Sequence, residues 1–60
     1  MTTYLVNNEH NGIEIYFSRK PDQCVIESLK AARWRWHNLK KCWYNRNDNV
    51  NLEFAQNIAS

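Results

Sequence analysis

The stretch Arg33-Trp-Arg-Trp-His-Asn-Leu-Lys-Lys-Cys-Trp-Tyr44, RWRWHNLKKCWY, decides how this chain folds. It holds all three tryptophans, one of the three tyrosines, four of the eight Lys/Arg residues and no acid. Two aromatic, β-prone runs, RWRW and KCWY, flank the polar HNLK. They read as a hairpin with strands at 34–37 and 41–45. Alternation puts Trp34 and Trp36 on one face and Arg35 on the other, and opposes Trp43 to Cys42 and Tyr44. Register decides which set goes inside. The expectation is Trp36 and Trp43 in the core, Trp34 partly covered and Tyr44 at an edge.

Outward from this hairpin, the chain repeats the theme once on its N-terminal side. TYLV (Thr3 to Val6) is β-prone, and GIEIYF alternates Ile13, Ile15 and Phe17 against Glu14 and Tyr16. Between them NNEHNG ends in Asn11-Gly12, a strong hairpin signal. Strands are expected at 2–6 and 13–17. A helix from Pro21 to about Ala32 follows. Proline suits a first helical position, Asp22 the first turn, and Lys30 and Arg33 the last. Val25, Leu29 and Ala32, with Ile26 beside them, form its apolar stripe. After NRNDNV, Asp48 can cap a second helix over about 49–59, striped by Val50, Phe54 and Ile58 with Ala55 alongside.

The fold class is therefore α+β: a single domain over residues 1–60, in the order β-β-α-β-β-α, with a mixed sheet and both helices on one face. The second and third strands, if parallel, are joined by a right-handed crossover. The other sheet face then carries Glu14, Tyr16, Arg35 and Tyr44 toward solvent. A chain of 60 residues buries only about 60% of its unfolded surface, so its eight aromatics are needed for burial first.

Net charge is +2. Every Lys and Arg lies between Arg19 and Arg46, and from Lys30 to Arg46 there are six basic residues and no acid. This one-sided field points to an anionic partner. No apolar run approaches a membrane span and no leader pattern is present, so a cytoplasmic protein with reduced thiols is expected, and no membrane partner. The candidate contact set is Arg33, Arg35, His37, Lys40, Lys41 and Arg46, with Tyr16 or Tyr44 as a stacking ring.

Other chemistries fit poorly. Cys24, Cys42, His10 and His37 lack the close pairs that zinc sites use, and Cys24 is expected to face the core, so no metal or other cofactor is expected. One glycine rules out a phosphate-cradling loop, and no thiol has a base at a telling spacing. Neither an enzyme nor a small-molecule substrate is expected.

GIEIYF, KP opening a helix, LKAA, RW and KCWY together resemble a small module found in phage, plasmid and gut-bacterial mobile-element proteins, often beside primase, helicase, methylase or antirestriction-type domains. The likeness spans about Gly12 to Ile58. Where that module has Gly then Phe or Ala before RW, this chain has Arg33 and Trp34, and a glycine there suits a left-handed helix cap. The resemblance carries no established catalytic residues. It implies an accessory module that handles or protects nucleic acid. The reading is a non-enzymatic binding module that contacts nucleic acid through the basic aromatic hairpin. The alternative, for a chain that starts at Met and ends just past a helix, is a free-standing phage-type inhibitor of a host protein complex, anti-defence and anti-CRISPR-like in kind. Its basic character disfavours simple DNA mimicry.

Overall fold

Two hairpins and two helices are built from the pattern of the sequence in the computed structural model, which describes residues 2–59. β1 (Thr2–Asn7) and β2 (Gly12–Phe17) form the first hairpin, and β3 (Arg35–His37) and β4 (Cys42–Arg46) the second. α1 (Gln23–Ala31) joins the hairpins, and α2 (Asn49–Ala59) follows the last strand. The order is β-β-α-β-β-α, as the periodicity implies.

The sheet order is β1-β2-β4-β3, and all three pairings are antiparallel. The expected mixed sheet is thus corrected. β2 and β3 do run in the same direction, but β4 lies between them, so no parallel ladder forms. The central seam pairs Ile15 with Trp43 and Glu14 with Tyr44. In the second hairpin Trp36 faces Trp43 and Arg35 faces Tyr44.

Register sorts the side chains. Ile13, Ile15, Phe17, Trp43 and Trp36 share one face. Ile13, Ile15 and Trp43 pack there with Leu29 of α1, Ala55 of α2 and Trp34, while Val25, Ile26, Leu52, Phe54 and Ile58 close around them. Both helices therefore cover this face. The opposite face is left open.

The core assignment changes at three residues. Trp34, not Trp36, is the second core tryptophan: Trp34 is 3% exposed, Trp43 8% and Trp36 49%. The strand begins at Arg35, so Trp34 belongs to the end of α1. Its N–H donates to the Leu29 carbonyl (2.9 Å) while the Arg33 N–H donates to Lys30 (3.0 Å). With Arg33 at φ 69°, this is a Schellman cap, which folds Trp34 back over Leu29 and onto Phe54 (ring centroids 5.6 Å). Trp36 faces the right way, but it stands on the edge strand, beyond the cover of the helices. Val50 is exposed because it lies about 140° around α2 from Ala55, at about 100° per residue. Leu52 takes its place against the core.

Helix ends differ in detail from expectation. Asp22 is the N-cap of α1 and makes no side-chain cap bond, so Pro21 precedes the helix rather than opening it. Asp48 does cap α2: its Oδ1 accepts the Asn51 N–H at 2.7 Å. Asn45 Nδ2 donates to the Ala32 carbonyl (3.2 Å), tying the end of α1 to β4.

Candidate nucleic-acid interface on the open sheet face

Strand parity places Glu14 and Tyr16 of β2, Cys42, Tyr44 and Arg46 of β4, and Arg35 and His37 of β3 on the uncovered face. Glu14 is the one acidic side chain that parity puts there. It is also buried, at 7% exposure. A carboxylate so placed needs partners. Lys40 Nζ donates to its Oε2 at 2.9 Å, and the Tyr16 hydroxyl donates to its Oε1 at 2.9 Å. The Lys40 bond, with help from Tyr16, holds the Glu14 carboxyl below its ordinary pKa against the opposing effect of burial. The same contacts raise Lys40, and they push the Tyr16 phenol strongly up, because its proton is committed to Glu14. The charge of Glu14 is thus compensated from within the face.

Cys42 is fully buried beside this cluster, and burial pushes its thiol up, away from the thiolate that a nucleophile requires. Both cysteines are free thiols, and Cys24 is exposed on α1 rather than turned to the core. Among the described residues, no group of three or more His, Cys, Asp or Glu side chains is placed to hold a metal ion. No helix among them is long and apolar enough to cross a membrane.

The two hairpin turns are built alike. Each spans four residues and ends in a left-handed residue, Asn11 at φ 50° and Lys41 at φ 56°. In each, the last strand residue accepts a backbone N–H three positions on: Asn7 Oδ1 from His10 (3.2 Å) and His37 Nδ1 from Lys40 (3.1 Å). The Asn11-Gly12 signal is therefore real, but Asn11 takes the left-handed conformation. Gly12 has no positive φ, and a Cβ there would meet the Asn45 carbonyl oxygen at 3.4 Å, an ordinary contact. This second turn aims Lys40 at Glu14 and fixes the His37 ring edge-on to Tyr44 (5.7 Å).

A shallow cleft of about 620 Å³ opens on this face, lined by Asn7, His10, Glu14, His37, Tyr44 and Arg46 among others. Tyr44 is 38% exposed at its floor. Arg35 makes no ion pair with a carboxylate among the described residues, and Arg46 makes only a loose one, 3.8 Å to Asp48.

Of the eight residues expected from sequence, six come together on this face: Tyr16, Arg35, His37, Lys40, Tyr44 and Arg46. Tyr16 and Lys40 serve Glu14 first. The other two are elsewhere. Arg33 holds the left-handed cap of α1, and Lys41 lines a cleft with Trp36 and Trp43 on the helix side. Asn7 and His10 line the open cleft and escape sequence reasoning, because their place depends on the pairing of the two hairpins. No protein-family model, curated protein or solved structure matches this chain.

Proposed function

We propose that the chain is a non-enzymatic module that binds single-stranded nucleic acid across its open sheet face. The observation that carries this reading is the cross-strand group of exposed Tyr44 and Arg35 with half-buried His37, beside exposed Arg46, on a face whose one strand-borne acid, Glu14, is already paired with Lys40. An exposed ring offers a base a stacking surface, while the guanidinium groups meet phosphates. Duplex bases show no such faces, so an aromatic platform favours an unpaired strand. The resemblance to mobile-element modules that sit beside primase and helicase domains points the same way.

Binding to a short single strand should weaken with salt, with a slope of roughly −0.7 in log K against log salt per phosphate contact. Arg35→Glu with Arg46→Glu should abolish it without unfolding the protein. Tyr44→Ala should weaken single strands more than duplex. Glu14→Gln should strengthen binding, because it removes the negative charge and frees Lys40. If the wild-type protein shows no salt-dependent binding at low ionic strength, the reading is wrong, and retention of one host protein on the immobilised wild type, lost with the same reversals, would put the inhibitor reading in its place.

A further inference from the structure

A second cleft, of about 430 Å³, lies on the helix side of the edge strand β3. Phe17, Trp36 and Trp43 line it, with the cations Arg19, Lys20 and Lys41 around them and no acid. None of the three cations makes an ion pair with a carboxylate among the described residues. Trp36 is held edge-to-face on Trp43 (ring centroids 5.6 Å, planes at 61°) and is still half exposed. A large ring fixed in place but uncovered is a stacking surface formed in advance of any ligand. The surrounding positive charge selects an anion over a neutral apolar group.

We infer that this cleft binds one nucleotide, with the base against the Trp36 indole and the phosphate among Lys41, Lys20 and Arg19. The site does not rest on the open-face reading. Its residues are on the other side of β3, and either site can be present without the other. The same chemistry is offered by a free nucleotide and by a nucleotide within a strand.

The test follows the indole N–H resonance of Trp36 by NMR at low salt. Adenosine monophosphate, adenosine, inorganic phosphate and a short oligo-deoxyadenylate are titrated separately. The expected result is a saturable shift with the monophosphate, with adenosine and phosphate each at least about tenfold weaker. Lys20→Glu with Lys41→Glu, and separately Trp36→Leu, should each reduce affinity by roughly tenfold or more. Arg35→Glu, on the open face, should leave the monophosphate response unchanged. An oligonucleotide that shifts the same resonance and binds more tightly per chain assigns the nucleotide to a strand, and equal affinity assigns it to the free pool; both support the site. Adenosine as strong as the monophosphate, phosphate alone as strong, or no shift at millimolar concentration would each overturn it. Full retention of the oligonucleotide affinity in Arg35→Glu, with the monophosphate response intact, would count against the open face only.

Discussion

Arg33 is the residue that departs most from what local conformation prefers. Its φ of 69° lies where a Cβ crowds the following carbonyl, at a cost of about 1–2 kcal/mol. The Schellman hydrogen bonds and the burial of Trp34 hold it there. Arg33→Gly should therefore stabilise the protein by about 0.5–1 kcal/mol, after allowance for the extra freedom glycine gives the unfolded chain. That corresponds to a rise in Tm of roughly 2–8 °C in thermal denaturation. Arg33→Ala keeps the Cβ and should leave Tm nearly unchanged. An equal gain in both variants would mean that charge, not backbone geometry, is responsible. The missing glycine was visible in the sequence, but what replaces it was not. Reading Trp34 as the first residue of a strand gave it the right face and the wrong role. A cap that reverses the chain is set by hydrogen bonds to Leu29 and Lys30, which alternation does not encode. The Nε1–H of Trp34 is buried without a hydrogen-bond partner among the described residues, and the ring stacks on Phe54.

At the scale of elements, the strands and helices were legible because their periods are clean, while the bond that organises the open face was not. Alternation puts Glu14 outward with Tyr16. It says nothing of Lys40, twenty-six positions on, whose ammonium reaches over β4 to meet it. The pair makes β2 and the β3–β4 turn interdependent, and its contribution depends on pH with a definite sign. Glu14 is held below its usual 4.5, so its part of the stability is present above that value and is lost as pH falls through the lower folded value. Lys40 is raised above its usual 10.5, so its part is present below that value and is lost as pH rises through the higher folded value. The difference in chemical-denaturation midpoint between wild type and Glu14→Gln should accordingly be largest near neutral pH and shrink in acid, where the wild-type carboxyl is itself protonated. A difference that stays constant from pH 7 to about pH 3 would show that the carboxylate charge contributes nothing.

For the molecule as a whole, the charge asymmetry of the sequence survives folding in divided form. Cations from one hairpin face both sides of β3, and the linear run of six could not show the division. Fold class and element order followed from pattern; sheet order did not, because the β2–β4 neighbourhood is a long-range choice. That choice has a consequence in time. Each hairpin closes over a four-residue turn, and neither would persist alone in water. The seam that unites them joins residues about thirty positions apart, and its closure entropy falls due before the core rewards it. The rate-limiting event in folding is then the meeting of β2 and β4, with α2 settling afterwards on the finished sheet. In stopped-flow measurements Ile15→Val, in the seam, should lower the refolding rate and barely change unfolding. Ala55→Gly, in α2, should chiefly accelerate unfolding. If Ile15→Val instead moved only the unfolding arm of the chevron, as Ala55→Gly should, the two hairpins would not be assembling in that order, and the antiparallel seam would be a late product of folding rather than its nucleus.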